Sequence, residues 1–314
     1  AGSAWSTLKR RELSARRVLA ARGMIEAVTF SFMKRETADL FGFSADALVI
    51  DNPISADLDV MRPSALPNLL DAARKNEDRG NTDVALFELG PEYSSDDVEG
   101  QAVVAAGVRS SINSGRHWSV KPRGADAWEA KADALSALEA AGAPIDKLQI
   151  TMDAPSWFHP GRSGVFRLGS AVLATFGDLH PTVLGEMDLQ NSYVGFSVNI
   201  ERIPMPKKKR TSGRPLLDLS PYQAVHRDFA FVVDAEVKAG DIVRAARAAD
   251  KELVRAVTVF DVYEGEHVGD GKKSVAISVM LQPVDMTLTD EQISVISEKI
   301  TGGVKKRTGG ILRD

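Results

Sequence analysis

The sequence predicts an α+β protein with two domains, and three observations carry that prediction. A stretch rich in proline and cations, IPMPKKKRTSGRPLLDLSP at 203–221, shows little apolar periodicity and indicates a linker. Before it, hairpin-linked strands alternate with helices, which is typical of a mainly antiparallel α+β domain. After it, the elements follow the order strand, helix, strand, strand, helix, strand. We therefore expect a first domain over 1–205, a linker over 206–220 and a second domain over 221–314.

Length and composition agree with this division. The chain of 314 residues is long enough for two separate cores, and it is 44% hydrophobic and 26% charged. The sequence contains no run of 18 apolar residues, so no membrane span is predicted. The basic N-terminal stretch leads into an amphipathic helix and does not have the pattern of a signal peptide. The absence of cysteine excludes disulfides and thiolate chemistry and fits a reducing compartment, so we expect a cytoplasmic protein. A net charge of -4 argues against nucleic-acid binding over the whole surface but leaves room for a local basic patch.

The first domain shows both helical and strand periodicities. A two-residue turn at Gly169-Ser170 separates two alternating segments and predicts a β-hairpin. The predicted elements are a helix at 11–22, a strand at 25–32, a helix at 64–76, strands at 84–89 and 102–109, a helix at 126–141, the hairpin strands at 163–168 and 171–177, and a strand at 193–200.

The second domain has the clearer pattern. Strands are predicted at 228–233, 258–263, 274–282 and 310–313, and a helix at 239–249. A second helix opens at Thr289, whose spacing to Gln292 is that of a capping box. The order βαββαβ is that of the ferredoxin-like split βαβ unit, in which both helices cover one face of the sheet and leave the other open.

Strand alternation assigns the two faces of this sheet. Large apolar residues are expected to meet the helices, namely Phe229, Phe231, Phe260, Val262, Val275, Ile277 and Val279. The opposite face carries Ala230, Asp261, Tyr263, Ser274 and Ala276. A solvated sheet does not need such small residues, whereas a sheet that receives a flat ligand does.

Several strings, in this order and at fitting distances, carry a resemblance to a known family. They are DNPISADLDVMRPSALPNLLDAARKN, VALFELGPEY, FHPGRSGVFRLGSAVLATFGDLHP, VHRDFAFVVD and VFDVYEGEHVGDGKKSVAISVML. Together they resemble the C-terminal portion of the bacterial phenylalanyl-tRNA synthetase beta subunit over essentially the whole chain. The resemblance implies a class II synthetase-like module followed by a ferredoxin-fold anticodon-binding domain. The family's N-terminal domains, including the editing domain, are not in this sequence, so the chain is expected to be a fragment.

The resemblance also implies that the first domain does not catalyse. Class II synthetases need a glycine-rich lead-in to a Glu-Arg pair near ATP, and Glu201-Arg202 has no such lead-in here. The catalytic site would belong to the alpha subunit, with which this module would pair through the helix and strand at 11–32. The whole enzyme would use ATP and Mg²⁺, and this portion would hold no cofactor.

For the second domain, residue chemistry and resemblance point to the same ligand. A carboxylate has two acceptor oxygens and no donor, so Asp261 can accept from the adjacent N1–H and N2 amine of guanine. Tyr263 offers a stacking platform, and Ala230 would leave space for the ring. By resemblance, Ala230, Asp261, Tyr263 and Ser274 match the family's contacts to the guanine at the first anticodon position of tRNA-Phe. From spacing alone, Asp261 and Tyr263 could instead be solvated residues of an edge strand.

Cations near this face are candidate phosphate contacts or solvated surface residues. They are Arg227, Lys272, Lys273 and Arg313. The run KKKR at 207–210 fits a solvated linker better than an RNA contact.

Two other function classes stay open. His159, Asp178 and His180 could form a metal site of an independent hydrolase, although their spacing matches no short ligand motif and loop histidines often bond to backbone. The chain could also be a free-standing RNA-binding or regulatory module that reuses both folds. Three further charged residues in the first domain are expected to be structural ion partners rather than nucleotide contacts: Arg62, Glu88 and Arg162.

Overall fold

Two units make up the computed structural model, residues 1–209 and 210–314, and each has its own core. The structure describes residues 5–42, 46–110, 118–119, 121, 123–205 and 219–313. Most of the expected linker, including the run KKKR, lies outside these residues. Within them, no helix is long and apolar enough to cross a membrane.

The N-terminal unit is built on one large sheet with helices on both faces. Its helices are α1 (Thr7–Ala21), α2 (Arg35–Asp39), α3 (Leu66–Glu77), α4 (Ala127–Ala140) and α5 (Pro181–Glu186). Its strands are β1 (Ile25–Glu26), β2 (Phe32–Met33), β3 (Val60–Met61), β4 (Ala85–Tyr93), β5 (Gln101–Arg109), β6 (Gln149–Thr151), β7 (Phe158–Leu168), β8 (Ala171–Leu179) and β9 (Val194–Asn199).

In the described residues the large sheet has the order β1-β4-β5-β9-β8-β7-β6. Only the β1–β4 pair is parallel, and the other neighbours are antiparallel. One face packs against α1 and α4, and the other face packs against α3 and α5. The predicted antiparallel α+β class is therefore confirmed, as is the hairpin at Gly169, whose φ of 61° suits glycine.

One predicted strand of this unit is wrong. The segment 25–32 forms ladder pairs only at its two ends, Ile25 and Glu26 with β4 and Phe32 with β3. Its alternating apolar residues suggested a half-buried strand, but Val28 and Phe30 are exposed. Sequence periodicity shows only which residues could be buried together. Here the chain leaves the edge of the sheet after Glu26, so the apolar residues that follow are not buried by it.

The C-terminal unit has the predicted βαββαβ order. Its elements are β10 (Val225–Asp234), α6 (Ala239–Ala249), β11 (Val254–Tyr263), β12 (Lys272–Leu281), α7 (Asp290–Thr308) and β13 (Ile311–Leu312). The sheet order is β11-β12-β10-β13 with antiparallel neighbours, as a ferredoxin-like fold requires. Apolar residues of both helices pack on one face of this sheet, including Ile242, Ile296 and Ile300.

A β-bulge in β11 corrects the predicted face assignment. Val259 pairs with Ile277 and Asp261 pairs with Ala276, so Phe260 is the extra residue between them. Val259 consequently packs with the helix-side core, whereas Phe260 is 58% exposed. A strict alternation along the strand cannot account for this change of phase at Val259 and Phe260. Val262 keeps the predicted helix-side phase, since it pairs with Val275, but its side chain is exposed.

The capping box predicted for α7 is confirmed, and it supports a test of local stability. The Thr289 side chain accepts from the Gln292 amide, and the Gln292 side chain accepts from the Thr289 amide. Thr289→Ala leaves the first-turn amides of α7 without that partner, so it should destabilise the helix by about 1 kcal/mol. Faster amide hydrogen exchange in α7 would report the loss. Ser294→Ala, at an exposed position inside the same helix, is the control, and equal exchange in the two variants would contradict a role for the cap.

Candidate nucleic-acid interface

Cross-strand register places the predicted site residues in two adjacent rows on the open face of the second unit. Asp261 pairs with Ala276, which pairs on its other side with Ala230. Tyr263 pairs with Ser274, the next residue of β12 on the same face. Paired residues share a face, so a carboxylate and a ring stand side by side along β11.

The bulge at Phe260 is what places Asp261 on this face. Val257 and Val259 point to the helix-side core, and uninterrupted alternation would have sent Asp261 and Tyr263 the same way. The extra residue reverses the phase for the last part of the strand. Both side chains therefore lie on the face that the helices leave uncovered, and Tyr263 is 37% exposed.

The floor between the strands is shallow and apolar. Ala230 is partly buried and Ala276 is buried, and neither side chain rises far above the sheet. Ser274 is only 4% exposed. Its hydroxyl is therefore largely covered in this structure, and Asp261 and Tyr263 are the accessible groups of the predicted set.

The Tyr263 ring is held by the turn that follows β11. The His267 ring stacks on it with 6.5 Å between centroids and 13° between planes. Gly265 approaches it so closely that an added Cβ would lie 2.5 Å from the phenol oxygen. Sequence reasoning missed both residues, although an aromatic four positions after Tyr263 in a glycine-rich turn was a usable signal.

The four candidate phosphate contacts separate into different environments. Arg313 reaches the site, since its amide donates to the Ala230 carbonyl at 2.7 Å and its guanidinium lies 5.9 Å from the centre of the Tyr263 ring. Lys272 forms an ion pair with Asp234 at 3.1 Å. Two others have the strand phase of the helix-covered face: Arg227, paired with Val279, and Lys273, paired with Val233.

In the first unit, Arg62 and Glu88 form a buried ion pair. Their side chains are 1% and 5% exposed, and the Arg62 Nη1 to Glu88 Oε1 distance is 3.0 Å. Arg62 also donates to the Pro91 carbonyl and to the Thr29 hydroxyl, which itself donates to Glu88. The guanidinium is thus occupied by protein groups, as expected for a structural ion partner.

A second acid lies close to this pair at the edge of a cavity of about 400 Å³. Burial raises the pKa of Glu92, and the backbone amide of Ala65, which donates to it at 2.8 Å, opposes that rise together with Arg62. The cavity is lined by small polar side chains, including Ser64 and Ser197, and by apolar side chains, including Leu66 and Val104.

The histidine pair suggested as a metal site is engaged with backbone. His159 Nδ1 accepts from the Gly161 amide, and His180 Nδ1 accepts from the Thr182 amide as the N-cap of α5. Asp178 forms an ion pair with Arg162 at 2.8 Å, and burial raises the pKa of the Asp178 carboxyl against the opposing effect of Arg162. In the part of the chain that the structure describes, no group of three or more acidic, histidine or cysteine side chains could hold a metal ion.

Family comparisons agree with both units. Residues 2–200 match the model described as phenylalanyl tRNA synthetase beta chain CLM domain, and residues 220–313 match the ferredoxin-fold anticodon binding domain. Among solved structures, a pyrrolysyl-tRNA synthetase from Desulfitobacterium hafniense aligns over 62% of this chain and 67% of its own, at 16% identity and a TM-score of 0.48. That likeness is too weak to bear on function.

Curated relatives carry the name phenylalanine–tRNA ligase beta subunit. One from Rhodospirillum rubrum is 52% identical over 97% of this chain, and one from Mesorhizobium japonicum is 50% identical over 98%. The chain spans 38% and 39% of the lengths of these two relatives. On the match of its first 200 residues and of its second unit, the chain belongs to the phenylalanyl-tRNA synthetase beta chain family.

Proposed function

We propose that this chain is the C-terminal part of the beta subunit of a phenylalanine–tRNA ligase, and that its second unit recognises the first anticodon base of tRNA-Phe. The observation that carries the proposal is that Asp261 and Tyr263 lie side by side along β11, both accessible, on the open face of the sheet. The family match of this unit to an anticodon-binding domain supports the same ligand.

The chemistry of the two side chains favours guanine. An ionised carboxylate offers acceptors only, and guanine presents two neighbouring donors, N1–H and the N2 amine. Single-stranded RNA loops are recognised by stacking unpaired bases on aromatic rings and bonding to their Watson–Crick edges. Asp261 would supply the edge contact, and Tyr263 would supply the stacking surface.

The first unit, in this proposal, binds the catalytic alpha subunit. The short strand β1 lies at the edge of the large sheet, and three large apolar side chains on and after it are exposed: Ile25, Val28 and Phe30. Exposed apolar groups beside a sheet edge favour association, and a permanent partner would cover them. The helix α1, which contacts β1, would belong to the same interface.

Bond formation is assigned to that partner. The chemistry would use ATP and Mg²⁺ at the alpha subunit, in the cytoplasm. Arg62, for which nucleotide contact was the less expected role, is buried against Glu88 and the Pro91 carbonyl. Glu201 accepts from the Val103 amide, which gives it a structural role at the end of the sheet.

Titration with an anticodon stem-loop tests the recognition proposal. Replacing the first anticodon guanine by inosine removes the N2 amine while keeping N1–H. Since a hydrogen bond to a charged acceptor contributes about 1.5–3 kcal/mol, affinity should fall about tenfold or more. Fluorescence anisotropy of a labelled stem-loop would measure it.

The matched control is the same guanine-to-inosine change at an unpaired loop position outside the anticodon. That change should leave the affinity as it was. Equal affinities for the guanine and inosine anticodons would contradict the proposed readout by Asp261.

A further inference from the structure

Arg313 belongs to the same row as the base-reading residues. Its amide donates to the Ala230 carbonyl, so the row across the open face reads Arg313, Ala230, Ala276 and Asp261. Strands are about 4.8 Å apart, so three intervals separate the backbones of Arg313 and β11 by about 14 Å. Only alanine side chains stand between them, which leaves the space above the sheet open to a long side chain.

The Arg313 side chain crosses that space to the Tyr263 ring. Its guanidinium carbon lies 5.9 Å from the ring centre. Among the residues that the structure describes, the guanidinium has no ion pair and no side-chain hydrogen bond. The interaction that holds it over the floor is therefore the cation–π contact with Tyr263.

The ring that receives this contact is fixed independently. His267 stacks on Tyr263, and the backbone of Gly265 lies against the phenol. A ring anchored by its own turn can keep its position when Arg313 moves. The two groups thus form a fixed wall and an adjustable wall over a floor of alanines.

We propose that Arg313 is the second wall of a base clamp, in which the recognised purine stacks between the Tyr263 ring and the Arg313 guanidinium. Arginine planes stack on bases as aromatic rings do. Stacked layers repeat at about 3.4 Å, so a base between two planes needs about 7 Å, and the guanidinium has to withdraw by on the order of 1 Å from its present place. This inference rests on the proposed anticodon recognition and changes the expected role of Arg313 from a phosphate contact to a stacking residue.

The two possible roles of Arg313 differ in whether lysine can take the place of arginine. A phosphate contact needs a positive charge, which lysine retains, whereas stacking needs the planar guanidinium. The roles also differ in salt dependence, because each phosphate contact to a single strand contributes about 0.7 to the slope of log affinity against log salt. A stacking contact leaves that slope nearly unchanged.

The experiment measures binding of the anticodon stem-loop by the 314-residue chain and its Arg313→Lys and Arg313→Ala variants at several salt concentrations. A second stem-loop carries an abasic nucleotide at the first anticodon position. We expect both variants to bind the guanine loop about fivefold to tenfold more weakly than the unmodified chain, with the same salt slope. On the abasic loop, all three proteins should bind alike.

Two controls separate stacking from general damage. Arg227→Ala removes an exposed cation on the helix-side phase of β10 and should not alter the ratio of guanine to abasic affinity. In a Tyr263→Ala background, Arg313→Ala should have little further effect, because the clamp has already lost its fixed wall.

Three results would overturn the clamp: full affinity in Arg313→Lys, a salt slope lowered by about 0.7 in Arg313→Ala, or an equal loss on the abasic loop. If the unmodified chain distinguishes guanine from the abasic site and Arg313 variants do not matter, only the clamp fails. If the unmodified chain does not distinguish the two loops, the anticodon proposal fails and the clamp fails with it.

Discussion

Replacing Glu88 with leucine should lower the free energy of unfolding of the first unit by about 3–5 kcal/mol, because it leaves the buried Arg62 charge without its carboxylate. The pair is almost completely shielded from water, with a 3.0 Å contact. Glu92 is the other acid near Arg62, but burial raises the pKa of Glu92 and weakens it as a substitute counter-charge. Bonds to Thr29 and Pro91 fix the guanidinium in place, so it cannot move out to solvent without breaking them.

Urea unfolding followed by tryptophan fluorescence is the appropriate measurement, since all four tryptophans belong to the first unit. The double variant Arg62→Met with Glu88→Leu should recover most of the loss, because an apolar replacement of a buried ion pair is often neutral. Glu36→Leu disrupts the exposed Lys34–Glu36 ion pair of the same unit and should leave the transition nearly unchanged. A double variant no more stable than Glu88→Leu alone would contradict the argument from an uncompensated charge.

Much of the second unit could be predicted from sequence because its local signals agree with its packing. The helix predicted at 239–249 is observed at Ala239–Ala249, and the capping box marks the start of α7. Four apolar residues at helical spacing in α7 are all buried: Ile293, Ile296, Ile300 and Val304. Helical spacing and cap chemistry act over three to four residues, so sequence alone contains them.

The faces of β11 could not be predicted in full, because a bulge is defined by its partner strand. Alternation put Phe260 with the helices and Val259 on the open face, and the register reverses both. Asp261 and Tyr263 were predicted on the open face, and the register places them there. The prediction assumed uninterrupted alternation, however, whereas in the structure the bulge at Phe260 brings them to that face. Only the cross-strand pairing with Ile277 and Ala276 shows where the extra residue lies.

The contact between Arg313 and Tyr263 was equally outside the reach of periodicity. They are fifty positions apart in sequence. They meet because β13 and β11 belong to the same sheet and the long Arg313 side chain reaches across its open face. Sequence offered four cations as candidate phosphate contacts, and the structure brings one of them, Arg313, to the Tyr263 ring. The geometry of the side chain, directed at a ring, is what suggests the stacking role proposed above.

Asp261→Asn should selectively weaken binding to an anticodon loop that begins with guanine. Asparagine keeps one acceptor oxygen and replaces the other by the NH2 group of its amide, which cannot accept from either guanine donor. The second hydrogen bond is lost, and a donor of asparagine then faces a donor of guanine. The binding free energy should therefore weaken by about 1–3 kcal/mol, the amount by which one bidentate contact discriminates between the right and the wrong base. That corresponds to a loss of roughly fivefold to a hundredfold or more.

Stem-loop titration with guanine, inosine and abasic first positions provides the measurement. Because inosine lacks the amine, Asp261→Asn should bind the guanine and inosine loops with more similar affinities than the unmodified chain does. The control is Glu298→Gln, which removes one negative charge from an exposed position on α7, behind the sheet. Both substitutions change the net charge equally, so any general electrostatic gain in RNA affinity appears in both, and only the loss of base discrimination distinguishes them. If Asp261→Asn retained the full preference for guanine over inosine, the carboxylate would not be the group that reads the base, and the side-by-side placement of acid and ring on this face would need another explanation.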